Sequence, residues 1–582
     1  MHFRTNPRLG AALVALVAAT ATVSAQSKPL PLKHKPEPTV AAITSADLMT
    51  RLYIFADDSM MGRAAATIYN DKGTDYIAGE LKKMGVQPAG DNGTYFQQLP
   101  LVSLRLSTTK PLTIDGRQYF GGKDFIARQP HAFNGEQAVF GGVFGPDTSL
   151  MIPPDLAAGK IVVLATPIGP NGLPTWNNMR QPVSRRFGRA NAVWLVGMDG
   201  MVPSDMAPLF DNIGSLIITP GRPENVDSPF GFGYVTGATA AALMGAPIAG
   251  MKIGTLGKTL QGAGTFDSVK APARNVIGII QGSDPKLRGQ YVAIGAHNDH
   301  IGFQKGGVDH DSVKAFNEVA LPSGADSVPR QMTPAMTIEF HRLLTDMRKD
   351  HPARLDSIFN GADDDGSGTV STLELAEYFQ KSATKPKRSL LFVFHTGEEL
   401  GLLGSTYFTD NPTVPRDSIV TQLNMDMVGR GGSSDVTGKM ETMDPSGRVV
   451  LGSEIHGGPD YLQLVGSRRL ATELGDLIDG VNTIQTRPFK FDYSIDADRH
   501  PANIYCRSDH YSYARYGIPI TFFTTGGHSD YHQLTDEPEY IDYEHMARVA
   551  NLVKDIATAV ANLDHRIVVD KPKPDPHGRC IQ

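Results

Sequence analysis

The sequence has 582 residues, of which 41% are hydrophobic, and its 55 Lys and Arg against 61 Asp and Glu give a formal net charge of -6. A chain of this length can bury a large core and exceeds one ordinary domain. The slight acidic excess provides no basic surface for phosphate backbones, so we do not expect a nucleic-acid-binding protein.

Residues 1–25 have the three-part order of a secretory signal peptide. Two arginines precede an apolar run from Leu9 to Val23, and small residues up to Ala25 provide a cleavage site. The run is shorter than the roughly 20 residues of a membrane-spanning helix, and no later stretch replaces it. We therefore expect a secreted or periplasmic protein without a membrane span after cleavage; an uncleaved N-terminal anchor is the alternative.

A linker rich in Pro and Lys occupies residues 26–45. It precedes two segments that differ in the spacing of their apolar residues. Residues 46–111 begin the folded chain, and apolar spacing there predicts two helices, Ala46–Phe55 and Asp75–Met84. Residues 112–271 consist of short β-like runs such as Ile161–Leu164, separated by Gly and Pro turns. We interpret residues 112–271 as a separate, β-rich domain.

In residues 272–565, apolar strands alternate with helices. The predicted strands are Tyr291–Gly295, Ser389–Phe394, Ile419–Asn424 and Ile518–Phe523. The predicted helices are Ser371–Gln380, Tyr461–Leu474 and Tyr543–Leu563. This alternation predicts an α/β three-layer sandwich with a mostly parallel central sheet. Catalytic groups in such sheets gather at the C-terminal ends of the strands.

Ionisable residues follow the first two of these strands. His297 ends the first strand as a candidate metal ligand, and Asp299 could accept its other ring N–H and fix its tautomer. Glu398 and Glu399 follow the second strand, where adjacent carboxylates resist joint ionisation unless a cation is present. A metal ligand beside a general base is the natural use of such a pair.

The other two strands lead to Asp426, a lone acid among apolar residues, and to two imidazoles, His528 and His532. A lone buried carboxylate needs a partner. Together with the first two strand ends, these residues make a mixed nitrogen and oxygen site. Such a site suits zinc, whereas calcium or magnesium would prefer oxygen alone.

These motifs resemble those of the di-zinc exopeptidases, clan MH metallopeptidases that include bacterial leucyl aminopeptidases and glutamate carboxypeptidase II. The resemblance covers residues 45 to 565, and five motifs follow the family's order: Gly295–Asp299, Gly361–Gly368, Gly397–Glu399, Asn424–Asp426 and His532–Asp536. It implies two zinc ions per chain, one bound by His297 and Asp426, the other by Glu399 and His532, with Asp364 bridging and Glu398 as general base. His532 is preferred to His528 because the family's motif has an Asp four residues later, here Asp536.

The resemblance extends to other parts of the chain. Residues 112–271 resemble the protease-associated domain often inserted in this family, through Ala158–Leu164, which implies a role in substrate access without a metal ligand. A further likeness implies that Asp509, His510 and Tyr511 line the substrate pocket. Residues 301–360 depart from the family's spacing and include a predicted helix, Pro334–Lys349; this insertion either caps the active site or is a surface elaboration.

The segment that supplies Asp364 also matches a calcium-binding loop. Asp363 to Glu374 fit the twelve positions of an EF-hand, so a calcium-binding module is the alternative from another functional class. We give it less weight because the same residues supply the bridging Asp and the sequence contains no second loop.

The resemblance implies a secreted zinc-dependent exopeptidase that acts on peptides. An aminopeptidase that releases N-terminal residues is the first choice by analogy, a carboxypeptidase the second and a glutaminyl-cyclase-like transferase the third. Cys506 and Cys580 are expected to be free or buried thiols, with one bridge as the alternative. Residues 566–582, rich in Pro, Lys and Asp, are expected to form a disordered tail.

Overall fold

The computed structural model describes residues 30–582 except 146, 168–182, 184–185, 202–212, 218–227, 328, 350, 431–438, 444–448, 456–457 and 501. The predicted signal peptide lies outside the described residues. Among the described helices, none combines the length and apolar character that a membrane span requires.

A nine-stranded mixed sheet forms the middle layer of the structure. Its strands lie in the order Gln87–Pro88, Ala273–Ile280, Ser389–His395, Tyr291–His297, Ile419–Met425, Ile520–Thr524, Tyr461–Val465 and Lys490–Asp492, and Phe96–Leu99 also pairs with Ala273–Ile280. The third to sixth strands of this order are mutually parallel, and they are the four predicted strands. Their residues are almost all buried, as expected for parallel strands covered on both faces.

Two hydrophobic cores lie on opposite faces of this sheet. Val292 and Ile294 belong to one core and Ala293 to the other, because successive side chains of a strand point to opposite faces. The first face is covered by the helices Ser45–Phe55, Ile68–Met84, Gly368–Lys381, Thr472–Thr483 and Tyr543–Asn562. The second face is covered by the helices Leu403–Asp410 and His510–Ala514. The predicted α/β three-layer sandwich is therefore confirmed.

The predicted helix Tyr461–Leu474 is wrong. Tyr461–Val465 is a buried strand of the central sheet, and the following helix begins only at Thr472. Gly466 separates the two elements with φ 81°, a conformation that L side chains rarely adopt. A Cβ atom at this position would lie 2.1 Å from Cδ1 of Ile520, so the turn requires glycine.

A β-rich unit with its own hydrophobic core precedes the central strands. Its eight-stranded sheet has the order Arg117–Tyr119, Leu112–Ile114, Leu256–Gly264, His131–Val143, Ile161–Ala165, Ala192–Val196, Gly231–Val235 and Phe125–Ala127. A three-stranded sheet has the order Ile213–Ile217, Leu101–Leu106 and Phe266–Lys270. The unit also contains the helices Pro154–Ala157 and Gly237–Met244. Trp194 packs against Phe125 and Phe133 in this core, separately from the central sheet. Its likeness to a protease-associated domain stays a prediction.

The insertion at residues 301–360 is built on a pair of antiparallel strands, Phe303–Asp309 and Leu355–Ile358. Two packed helices connect them, His310–Ala320 and Pro334–Met347, and the second corresponds to the predicted helix Pro334–Lys349.

Another antiparallel pair, Lys439–Met443 and Val449–Ile455, follows the strand Ile419–Met425 in the chain. Single-turn helices occur at Asp58–Arg63, Asp91–Gly93, Thr148–Leu150, Met198–Gly200, Gly324–Asp326, Arg416–Ser418, Ser494–Asp496, Ile504–Cys506 and Pro538–Tyr540.

The C-terminal end of the chain differs from the expected disordered tail with free thiols. Cys506 and Cys580 form a disulfide. The backbone N–H of Gln582 donates to Oδ1 of Asn503 at 3.2 Å, and Gln582 is only 4% exposed. The bridge and these hydrogen bonds hold a segment whose composition alone would not bury enough apolar surface to order it.

Candidate active site

The side chains that follow the four parallel strands meet at one edge of the sheet. Asp364 lies at the centre: its Oδ1 is 3.0 Å from Nε2 of His297, and its Oδ2 is 2.9 Å from Nε2 of His532. Oδ1 of Asp426 lies 3.7 Å from Nε2 of His297, and Oε2 of Glu399 lies 2.9 Å from Nε2 of His532. The structure thus brings the five predicted metal ligands together as two clusters that share Asp364.

His300 also belongs to this constellation and was not selected from the sequence. Its Nδ1 is 2.8 Å from Oε1 of Glu399 and 3.8 Å from Oδ2 of Asp364, and its ring contacts the ring of His532. His300 directly follows the motif Gly295–Asp299 and is the second imidazole after that strand. That duplication was the available signal, but the spacing did not show which cluster His300 would join.

The donor atoms fit zinc. Nδ1 of His300 and Oε1 of Glu399 are buried and 2.8 Å apart, yet neither forms a hydrogen bond with a described residue. Buried polar atoms without hydrogen-bond partners are rare and require an explanation. Imidazole nitrogens and carboxylate oxygens are ligands that zinc prefers, and His300, Asp364, Glu399 and His532 present such atoms within 4.8 Å of one another.

Ionisation in this site is strongly perturbed. Burial and the neighbouring carboxylates of Glu399 and Asp426 raise the pKa of Glu398 well above its usual range. Burial alone would lower the pKa of His297, but the facing carboxylates, Asp426 foremost, raise that pKa well above its ordinary value. Strong shifts of this kind concentrate at functional sites.

Asp365 and Asp536 hold the loop that carries Asp364. The carboxylate of Asp365 accepts the backbone N–H groups of His297 at 3.0 Å, Gly368 at 2.9 Å and Met427 at 3.3 Å. Asp365 also presents a carboxylate oxygen within 4.8 Å of ligand atoms of His297 and Asp426. Because its oxygens already accept these hydrogen bonds, we assign it to loop support and keep Asp364 as the shared ligand.

The calcium-loop alternative is wrong. Glu374, the twelfth position of the calcium-loop pattern, forms an ion pair with Arg51 at 2.5 Å instead of turning toward the Asp residues. Asp363 accepts the backbone N–H of Gly429 at 2.7 Å, and its other oxygen faces Nε2 of His528 at 3.1 Å. Asp365 accepts backbone N–H groups of His297 and Gly368, so Asp363, Asp365 and Glu374 each have different partners and do not surround a common point. The contact with Asp363 also places His528 away from the ligand clusters.

Asp299 has a different contact from the one predicted. Nδ1 of His297 faces the backbone oxygen of Asp299 at 3.1 Å, whereas the Asp299 carboxylate is 3.7 Å away. Oδ1 of Asp299 instead accepts the backbone N–H groups of Gly397 at 2.8 Å and Glu398 at 3.3 Å. Asp299 therefore positions the turn that carries Glu398.

Two of the three predicted pocket residues are buried in protein. Asp509 is fully buried, and its Oδ2 lies 3.4 Å from Nδ1 of His395. His510 is also fully buried and stacks on Phe522, and burial lowers its pKa to about 3. Of the three, only Tyr511 is partly exposed, so Asp509 and His510 support the site from within rather than line an open pocket.

Arg63 is a further supporting residue that the sequence did not reveal. Its buried guanidinium donates to the backbone oxygens of Asn298 at 3.2 Å, Asn360 at 2.6 Å and Gly361 at 2.9 Å. It therefore connects the loop after His297 to the loop before Asp364. An arginine at the end of a short helix gives no sequence signal that three of its partners are backbone carbonyls 235 to 298 residues away.

Comparison with known proteins places this site in a family. Residues 275–557 match peptidase family M28. The chain is 29% identical over 201 residues to leucine aminopeptidase 1 of Paracoccidioides brasiliensis, a match that covers 33% of this chain and 44% of that protein. It is 39% identical over 80 residues to leupeptin-inactivating enzyme 1 of Streptomyces exfoliatus, covering 13% and 18%. It is 42% identical over 82 residues to a vacuolar membrane protease of Verticillium alfalfae, covering 14% and 8%. The matches thus span less than half the length of these curated relatives.

Similar solved structures include two bacterial aminopeptidases. The aminopeptidase from Aneurinibacillus sp. strain AM-1 superimposes with a TM-score of 0.45 at 17% identity, covering 91% of this chain and 97% of that one. The zinc aminopeptidase of Bacillus subtilis gives a TM-score of 0.44 at 15% identity, covering 89% and 95%. The matched segment at residues 275–557 contains all five predicted ligands and the predicted general base, Glu398. Residues 275–557, which hold the candidate active site, therefore form a peptidase family M28 domain.

Proposed function

We propose that the chain is a secreted zinc-dependent aminopeptidase with two zinc ions per chain. The observation that carries this proposal is the position of Asp364, whose two carboxylate oxygens face the imidazoles of His297 and His532 at 3.0 and 2.9 Å. His297 and Asp426 would hold one ion, Glu399 and His532 the other, and Asp364 both. When bound, two zinc ions supply Lewis acidity that favours deprotonation of water and polarisation of a peptide carbonyl.

In this proposal, Glu398 is the general base. Its carboxylate would take a proton from the attacking water and return it to the leaving amine. Two features support this role: burial among carboxylates raises the pKa of Glu398, and the backbone N–H of Glu398 is held by Asp299 at 3.3 Å. Glu398 is half-buried and lies at the edge of the sheet where the parallel strands end.

Secretion is supported by two independent features. The sequence of residues 1–25 has the order of a signal peptide, and Cys506 and Cys580 form a disulfide. Disulfides persist in oxidising compartments such as the periplasm and the extracellular space. The choice of an aminopeptidase rests on the likeness to leucine aminopeptidase 1 and stays an analogy.

The test is to incubate the zinc-loaded protein with an unblocked peptide of mixed sequence and with its N-acetylated copy, and to follow both masses. We expect successive loss of N-terminal residues from the free peptide and no change in the acetylated one. Loss of C-terminal residues from both would reassign the enzyme as a carboxypeptidase. Loss of ammonia from a peptide that begins with Gln would reassign it as a cyclase.

Glu398→Gln tests the mechanism separately. The variant should keep two zinc ions per chain and lose about 100- to 10,000-fold in kcat, because it lacks a general base but not a ligand. Turnover close to that of the wild type would remove Glu398 from the mechanism. Protein stripped by a chelator should regain activity with zinc but not with calcium. Glu374 pairs with Arg51 and is therefore not available as a calcium ligand.

A further inference from the structure

A second cluster of metal-ligating side chains lies outside the proposed catalytic centre. It consists of His310, Asp356 and Glu537, and each presents one ligand atom within 4.8 Å of the others. His310 begins the helix His310–Ala320 of the insertion, and Asp356 lies on the insertion strand Leu355–Ile358. Glu537 lies on the loop that also carries His532. The cluster thus joins the insertion to the loop that carries His532, a predicted metal ligand of the catalytic centre.

The geometry of His310 leaves one ring nitrogen directed at the carboxylates. His310 is fully buried, and its Nδ1 is 3.0 Å from Oδ2 of Asp356. Its Nε2 lies 3.2 Å from the hydroxyl of Tyr540. A hydrogen bond at the second ring nitrogen is the usual way in which proteins orient a metal-binding histidine.

Glu537 supplies an independent indication of a ligand. It is 7% exposed, and no hydrogen bond or ion pair joins its carboxylate to any side chain or backbone group in the described part of the chain. Arg354, the cation nearby, instead pairs with Glu539 and with the hydroxyl of Tyr540. In a residue that is only 7% exposed, a carboxylate that pairs with no cation among the described residues and lies within 4.8 Å of a second carboxylate, Asp356, favours a bound cation.

We propose that His310, Asp356 and Glu537 bind a zinc ion that is additional to the ions of the catalytic centre. Imidazole nitrogens and carboxylate oxygens are both zinc ligands in proteins, and a site with three protein ligands leaves the fourth position to water. The ion would balance the two carboxylates. It would also fasten the strands and helices of the insertion to the loop that carries His532, so that the insertion has a fixed position beside the active site.

The test is the zinc content per chain after stripping with a chelator, dialysis against zinc and removal of free metal. Glu537→Gln should bind one zinc ion fewer than the wild type, because glutamine keeps the shape but is a poor zinc ligand. His341→Ala, which changes an exposed histidine on the helix Pro334–Met347 of the same insertion, is the matched control and should bind as much zinc as the wild type. Equal zinc content in Glu537→Gln and the wild type would overturn the proposal.

The same comparison in an Asp364→Ala background separates this site from the catalytic one. The catalytic centre is then damaged, but Glu537→Gln should still remove one further ion. If the difference disappears in that background, the ion belongs to the catalytic centre and the proposal fails. Asp356→Asn provides a second variant with the same expected loss of one ion. Circular dichroism checks that each variant is folded, and the proposal is judged on whichever of the two variants folds.

Discussion

The backbone N–H of Asp364 donates a hydrogen bond to Oδ2 of Asp536 at 3.0 Å. The same carboxylate accepts the backbone N–H of Asp363 at 2.9 Å. Asp536 is fully buried, and burial raises its pKa to about 6. The pairing of His532 with an Asp four residues later thus has a physical reason: one loop supplies a candidate ligand and also fixes the backbone that presents the shared ligand.

Asp536→Asn should therefore weaken zinc binding without removing a ligand. Asparagine keeps one acceptor oxygen but loses the second, so the backbone of Asp364 would be less well fixed. Loss of a residue that orients a ligand costs about 10- to 100-fold in metal affinity or activity. The measurement is kcat/KM as a function of free zinc. Asp498→Asn, at a carboxylate that is 91% exposed, is the control, and identical zinc dependence in the two variants would contradict this role.

The parts of the site that come directly after apolar strands could be predicted from sequence, because a run such as Leu390–Phe394 fixes where the strand ends and which side chains emerge at the edge of the sheet. The contacts that hold these side chains and loops in place could not be predicted from sequence. Arg63 binds backbone oxygens, which leave no trace in side-chain patterns. The sequence predicts a helix at Tyr461–Val465 because a short apolar run does not distinguish the helical period from that of a strand. The pairing of this segment with the strand Ile520–Thr524 identifies it as a strand.

Arg63→Met should destabilise the whole domain. The variant removes the donor for the backbone oxygens of Asn298, Asn360 and Gly361. Each buried acceptor left unsatisfied costs about 1–3 kcal/mol, so we expect a loss of at least about 3 kcal/mol in the free energy of unfolding. Urea denaturation measures this loss. Arg342→Met, at an exposed arginine on the insertion helix, should change stability little, and an equally small effect of Arg63→Met would show that the carbonyls find other donors.

Glu374 should make stability depend on pH in a range where most carboxylates do not. Burial raises its pKa from 4.5 to about 7, although Arg51 acts in the opposite direction. The folded state therefore binds a proton that the unfolded state has released, and the free energy of unfolding should fall as pH rises from about 4.5 to 7, by at most about 3 kcal/mol.

Glu374→Gln should flatten this dependence, because glutamine does not titrate. The comparison is made by urea denaturation of metal-free protein, so that loss of zinc at low pH does not contribute. Glu544→Gln changes an exposed glutamate on another helix and should retain the slope of the wild type. If the slope for Glu374→Gln equals that of the wild type, Arg51 keeps Glu374 ionised throughout this range.

Cys580→Ser should release the C-terminal segment. The bridge closes a loop of 74 residues between Cys506 and Cys580, and loss of such a bridge typically costs about 2–4 kcal/mol. Because the composition of residues 566–582 resembles that of a disordered segment, we expect new tryptic cleavage after Arg566 and Arg579. Lys571 and Lys573 each precede a proline and therefore resist trypsin. Limited proteolysis followed by mass spectrometry measures it.

Cys506→Ser is the matched control, because either substitution removes the same bond and both should give the same cleavage pattern. Peptidase activity should be retained in both variants, since the proposed ligands and Glu398 lie outside residues 566–582. Continued protection of the segment in both variants would mean that packing and hydrogen bonds suffice, among them the bond from the backbone N–H of Gln582 to Asn503. In that case tertiary contacts, which the composition of residues 566–582 does not predict, would order the end of the chain. The disulfide would then add stability without determining the position of the segment.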